Sequence, residues 1–251
     1  MMPPDGSWIV LFALLGLVFG SFGTVLIARV PAGQHLGGRS RCPRCKHILG
    51  AGELIPVLSY VLQAGKCRHC HRPISSLYPS VEFLSALLFV LALFLIRFPL
   101  FSLLLALSLW LLLLIAVMDL RTRTIHDALN LSFIFFAMAY AVAIGHLEIG
   151  GPLLLVLFFG AQWLLSRGRW VGSGDILLGA GIGFLLGGFG LSLLCLGIAY
   201  VLGALAATVL LLMERATRKS HIPFGPFLAV SAVSVLVFGE RLLDLLLRGF
   251  S

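Results

Sequence analysis

Apolar positions in this chain run together in long blocks instead of alternating, and short polar breaks separate the blocks. Crossing roughly 30 Å of hydrocarbon takes about 20 consecutive apolar residues in a helix. Eight blocks answer to that description, at about 8–28, 79–96, 99–118, 128–146, 151–166, 175–188, 191–213 and 223–246. The fifth and sixth are short. Only one long polar stretch interrupts the pattern, between Arg29 and Leu77. The pattern predicts an all-α polytopic membrane protein of about eight transmembrane helices with one small insert. The expected division is a first helix in 1–28, an insert in 29–77 and a seven-helix membrane domain in 78–251. The first block has no positive n-region before it, is longer than a signal h-region and is followed by arginine. It is therefore expected to be a retained anchor rather than a cleaved signal.

Composition agrees with lipid as the main solvent. Hydrophobic residues make up 60% of the 251 positions and charged residues 11%, against about 25% charged in ordinary soluble domains. The formal charge of +8 suggests nucleic acid until its placement is considered. Arg29, Arg39, Arg41, Arg44, Lys46, Lys66, Arg68 and Arg72 lie in the insert. Arg121, Arg123, Arg167, Arg169, Arg215, Arg218 and Lys219 lie in alternate loops on the same side, and only Arg97, Arg241 and Arg248 fall opposite. The positive-inside bias makes that side cytoplasmic. A membrane protein oriented this way carries such a charge without any nucleic-acid partner, so none is expected.

Within the insert stand Cys42-Pro-Arg-Cys45 and Cys67-Arg-His-Cys70, with 21 residues between the pairs. Each C-x-x-C can bend two thiolates onto one ion, and two such turns complete the tetrahedral set that zinc accepts. The spacing lies just beyond the usual zinc-ribbon range. A lobe of about fifty residues has too little core to fold alone, so a metal staple makes physical sense. Structural zinc held by Cys42, Cys45, Cys67 and Cys70 in a zinc-ribbon-like cytoplasmic insert is the expectation; degenerate or redox-active pairs are the alternative. Cys195, alone in an apolar run, reads as a small buried residue.

The acidic residues are few and stand at informative places. Asp119 ends one apolar run and Asp175, in Gly172-Ser173-Gly174-Asp175, opens another. Carboxylates facing lipid are costly, so such positions mark cavities or pathways. Only 37 residues separate Ile176 from Leu212 inclusive, whereas a hairpin crossing twice needs about 40. Asp175 is therefore expected at or within the interface, on the same side as Asp119. Taken singly, each aspartate reads equally well as a helix cap or an interfacial anchor. Paired in one low-dielectric cleft, they hold one proton between them and can activate water for amide hydrolysis. Asp127, before the fourth helix, is expected to be an N-cap. Glu82 suits either a polar pocket or a helix N-terminus. The segment 222–227, Ile-Pro-Phe-Gly-Pro-Phe, is a stiff entry to the last helix with phenylalanines able to wall a cleft. An ion-coupled transporter or channel using the same carboxylates is the runner-up, and a non-enzymatic scaffold docking through the insert is a third possibility.

Taken together and in order, these segments resemble the type IV prepilin peptidases, the GxGD-type membrane aspartic proteases also called prepilin leader peptidase/N-methyltransferases. The resemblance rests on Phe19-Gly20-Ser21-Phe22 with Arg29-Val30-Pro31, the paired cysteines, Tyr78-Pro79 with Glu82, Asp119 followed by Ile125-x-Asp127, the Gly172-to-Asp175 signature and the 222–228 segment. It implies Asp119 and Asp175 as the catalytic pair, with Gly172, Gly174, Glu82 and Asp127 in support. It also implies removal of the short basic leader of type IV prepilins or type II secretion pseudopilins, at the cytoplasmic face of a bacterial inner membrane. Many members then methylate the new N-terminus with S-adenosylmethionine. Departures from the family's pattern are Thr24 for its usual Asn, His126 for Pro and Leu177 for Lys. None of them removes an aspartate.

Overall fold

The structure is a computed structural model that describes residues 5–215, 217 and 222–248, the last two of these by backbone alone. Arg218 and Lys219 of the predicted basic loop, and the side chain of Arg248, lie outside the described residues. Among the described residues the chain is helical without a sheet. It gathers into two compact units, Met1–Ala106 and Leu107–Ser251.

In the first unit, α1 (Gly6–Arg29) packs antiparallel on α3 (Leu77–Ile96). Small residues let the two backbones approach. A Cβ on Gly16 would meet Ala86 Cα at 2.5 Å, and one on Gly20 would meet Glu82 Cα at 2.6 Å. This is the small-xxx-small packing of membrane helices, where dispersion and close approach replace the hydrophobic drive. Phe19 stacks on Phe89 at 5.4 Å between ring centroids beside that seam. Between the two helices lies the insert, whose regular elements are one 3-10 turn (Ala51–Glu53) and a short helix α2 (Leu58–Leu62). The Arg29 guanidinium folds the chain back after α1 by donating to the carbonyls of Leu36 and Gly37, both at 2.7 Å.

A two-residue link separates α3 from helix α4 (Pro99–Thr122), with Arg97 in the left-handed region terminating α3. In the second unit follow α5 (Asp127–Ala143), α6 (Gly150–Ser166), α7 (Ser173–Leu186), α8 (Phe189–Leu212) and α9 (Gly225–Arg248). Helix α7 is the hub of this unit and packs on α5, α6, α8 and α9. Its glycines allow this: Gly181 lies under the Phe133 ring and Gly183 under the backbone of Pro152. The α7–α8 reversal is made by Gly187 and Gly188, with φ of +59° and +87°, values that L side chains rarely adopt. Helix α8 restarts at Phe189, two positions before the 191 start that the apolar block predicts.

All eight predicted long helices are present. Five are long and apolar enough to span a membrane: α1, α3, α4, α8 and Gly225–Leu246 of α9. Helices α5 and α6 have 17 residues and α7 has 14, which at 1.5 Å per residue is about 25 and about 21 Å. Outward faces are strongly apolar, with Val18, Phe135, Leu157 and Val201 each about 60% exposed. In water such continuous faces would be sticky; on a set of apolar helices they are the lipid surface of a multi-pass membrane protein. Hydroxyls within the helices turn inward on the backbone. Ser85, Ser102, Thr208 and Ser234 each donate to the carbonyl four residues earlier, which removes a polar group from lipid.

Candidate active site and metal cluster

Asp119 lies one turn from the end of α4 and is 6% exposed. Its Oδ2 accepts the Gly225 backbone N–H at 2.9 Å, across 106 residues of sequence. That donor is available because Gly225 is the first residue of α9, where helix N–H groups have no intrahelical partner. The same contact explains the glycine: a Cβ on Gly225 would lie 2.8 Å from Asp119 Oδ2. Asp175 is the third residue of α7, and its Oδ2 accepts the N–H of Gly172, the N-cap residue, at 3.1 Å. Each carboxylate is thus steered by one glycine N–H through Oδ2, which leaves Oδ1 of each without a hydrogen bond among the described residues. Asp175 lies within reach of the charge of Asp119, 56 positions earlier in the chain.

The turn that carries Asp175 is held from α5. Asn130, fully buried, donates Nδ2–H to the Gly174 carbonyl at 2.9 Å, while its Oδ1 has no partner among the described residues. Gly174 also abuts Ile125, whose Cβ would lie 2.8 Å from a Cβ added there. Asn130, Ile125 and Gly225 did not emerge from sequence as site residues. Asn130 left a signal, a carboxamide one turn into an otherwise apolar helix, but its partner lies 44 residues away. Gly225 was included in the stiff 222–227 entry without a role. In that entry segment Phe224 packs on Tyr200 at 5.0 Å and on Phe159 at 6.1 Å between centroids.

Asp127 and Glu82 are also expected in support. Asp127 is not the N-cap. His126 occupies that position, and Asp127 is the first helical residue, exposed, with no capping hydrogen bond. One residue inside the helix, its carboxylate acts on the exposed N–H groups only through the dipole. Glu82, in the first unit, is 9% exposed, and its Oε2 accepts the Val57 N–H at 2.7 Å. The polar-pocket reading of this residue describes it better than the helix-terminus reading.

The four insert cysteines converge. Their sulfurs all lie within 4.8 Å of one another, with Cys42 Sγ and Cys70 Sγ 3.9 Å apart. A disulfide needs about 2.05 Å, whereas four thiolates about 2.3 Å from one tetrahedral ion stand nearly 4 Å apart. The cluster can therefore hold a metal ion. Its two halves are the same turn made twice. Cys42 N–H donates to the His47 carbonyl and Cys67 N–H to the Arg72 carbonyl; Lys46 and His71 take φ of +59° and +54° at equivalent positions. Between the knuckles, the His47 and His69 rings stack at 4.6 Å. Hydrogen bonds, the one from the Cys45 backbone N–H first, lower the Cys42 thiol to about 7. Against the lowering effect of the His47 backbone N–H, burial and hydrogen bonds to the other cysteines raise Cys45 to about 11, so the first thiolate of the cluster forms at Cys42.

These features agree with the likenesses to known proteins. Residues 14–111 match the Bacterial Peptidase A24 N-terminal domain, and residues 104–208 match the Type IV leader peptidase family. A prepilin leader peptidase/N-methyltransferase of Burkholderia pseudomallei (strain 1026b) is 34% identical over 280 residues, covering 94% of this chain and 87% of the relative. Its counterpart by name in Bacillus subtilis (strain 168) is 32% identical over 247 residues, covering 94% and 96%. One from Aeromonas hydrophila is 34% identical over 221 residues, covering 84% and 76%. No solved structure matches the chain. The chain belongs to the type IV leader peptidase family. It is an enzyme, a peptidase, and the transporter reading finds no support.

Proposed function

We propose that this chain is a membrane aspartic endopeptidase with Asp119 and Asp175 as its catalytic pair. It removes the short basic leader of type IV prepilins or type II secretion pseudopilins at the cytoplasmic face of a bacterial inner membrane. The observation that supports this most is the shared design of the two carboxylates, each fixed through Oδ2 by a glycine N–H with Oδ1 left open. In an apolar site the pair holds one proton. The ionised carboxylate takes a proton from a water as that water attacks the scissile carbonyl. The protonated partner donates to the carbonyl oxygen, and the leaving amine is protonated as the tetrahedral intermediate collapses. Gly172 and Gly174 shape the Asp175 turn, Gly225 orients Asp119, and Asn130 holds the turn in place.

The zinc expected of the insert would be held by Cys42, Cys45, Cys67 and Cys70, where the sulfur spacing fits a tetrahedral ion. It would staple the 29–77 lobe, and a closed four-thiolate set leaves no position for catalysis. N-methyl transfer comes from the relatives' printed name, and S-adenosylmethionine as donor with the new N-terminus as acceptor from the family resemblance. The described geometry assigns that cofactor no residues, and the hydrolytic step does not require it.

Cleavage of a prepilin in membranes, followed by mass analysis of the product, tests the reading. Asp119→Ala and Asp175→Ala should each abolish cleavage, and the wild-type product should carry an added methyl group. Retained cleavage in either variant contradicts the pair; an unmethylated product removes only the methyl-transfer half.

A further inference from the structure

We infer that residues 54–62 of the insert form an interfacial anchor embedded in the bilayer edge, with lipid acyl chains as the occupant of its exposed apolar face. The inference rests on the membrane-spanning role of α3 and not on the peptidase reading.

From Leu54 to Gly65 the insert carries no charged residue, the longest such run within it. Within that run Leu54, Ile55, Leu58, Val61 and Leu62 are 40%, 46%, 50%, 65% and 67% exposed. Leu58, Val61 and Leu62 stand at i, i+3 and i+4 on one face of α2, and Leu54 and Ile55 precede it, while Ser59 between them is buried. A metal-stapled lobe standing free in water has no reason to present five large aliphatic side chains as one patch.

The depth of the patch follows from one hydrogen bond. Helix α3 has 20 residues, about 30 Å, so it needs its whole length to cross the hydrocarbon. Glu82 is its sixth residue, about 8 Å inside the end at 1.5 Å per residue. The Glu82 carboxylate receives the Val57 N–H at 2.7 Å, at the start of α2. The backbone is bent sharply to present that donor: Val57 sits at φ +59°, ψ −51°, and Leu58 N–H returns to the Pro56 carbonyl. This is the rare γ-turn, strained for a β-branched residue. Val57 is therefore held at the level of the second turn of a spanning helix whose own Phe83 and Leu87 are exposed. Amphipathic segments of this kind sit about 5–10 Å into the headgroup boundary, the depth that the Glu82 bond imposes. Glu53 and Lys66, which bracket the uncharged run, mark where the chain returns to water.

The test uses the full chain reconstituted in phosphatidylcholine vesicles with brominated acyl chains. A fluorescent amino acid is incorporated at Val61 or Leu62, and at Arg44 on an exposed knuckle as the reference. No cysteine is needed for labelling, so the cluster stays intact. At Val61 and Leu62 the bromines should remove most of the fluorescence while aqueous iodide leaves it nearly unchanged; at Arg44 the order should reverse. Iodide quenching at positions 61 and 62 equal to that at Arg44 overturns the inference in favour of a water-exposed patch. Protection from both quenchers overturns it in favour of a protein-covered one. Using both positions guards against a single misfolded variant.

Discussion

The insert and the aspartate site solve the same problem, gathering a few reactive groups at a point, by opposite means. In the insert each pair of thiols is fastened by its own turn: Cys42 to His47 and Cys67 to Arg72, within five residues in each case. The remaining step is the meeting of two prefabricated halves, which an ion can complete. In the membrane unit only Asp175 has a local fastening, from Gly172. Asp119 depends on a glycine 106 residues later, and the Asp175 turn depends on Asn130 from another helix. Local fastening makes a cluster robust to changes elsewhere. Fastening through helix packing makes a site sensitive to small displacements anywhere in the unit.

That contrast orders the expected effects of mutation. The largest outside the aspartates themselves is Gly225→Ala, which places a methyl 2.8 Å from Asp119 Oδ2 and must turn the carboxylate. A displacement near 1 Å costs roughly 100-fold in rate, so kcat for prepilin cleavage should fall by that order while KM stays near wild type. A wild-type kcat would show that the Gly225 contact does not position the carboxylate. Next is Asn130→Ala, which strips the Gly174 carbonyl of its buried donor at a cost of about 1–3 kcal/mol. Denaturant unfolding in detergent should show that loss, with a further drop in kcat that Asn130→Gln does not restore. In the insert, Cys42→Ser with Cys67→Ser should abolish bound metal by elemental analysis and open residues 29–77 to limited proteolysis. Cleavage should fall only severalfold, because the aspartates are fastened elsewhere; complete loss would make the metal part of the chemistry. The smallest effect is Asp127→Ala, worth about 0.3–1 kcal/mol through the helix dipole, with cleavage close to wild type.

The same contrast explains what could be read in advance. The apolar runs set all eight long helices, since a helix in lipid satisfies its backbone within its own residues. The C-x-x-C pairs announced their knuckles because the geometry closes within a few positions. Pairing Asp119 with Asp175 needed length arithmetic and the resemblance, because no local pattern encodes a contact across 56 residues. The glycine that steers Asp119, the carboxamide that holds Gly174 and the Val57 donor to Glu82 were invisible for the same reason: each partner lies on a different element. Asp127 was misplaced by one residue, because an acidic residue before an apolar run reads alike as N-cap or first helical residue, and only the backbone at His126 decides it. Helix α2 was missed because five residues carry too little periodicity.

The account stands on the two aspartates acting as one unit. The most direct measurement is the rate of prepilin cleavage by purified Asp119→Asn, Asp175→Asn and the double variant, each first checked for wild-type thermal unfolding. Groups that act as a unit are non-additive. Each single variant should therefore lose cleavage as fully as the double variant does. Measurable turnover in either single variant, or losses that multiply in the double variant, would contradict a shared catalytic pair.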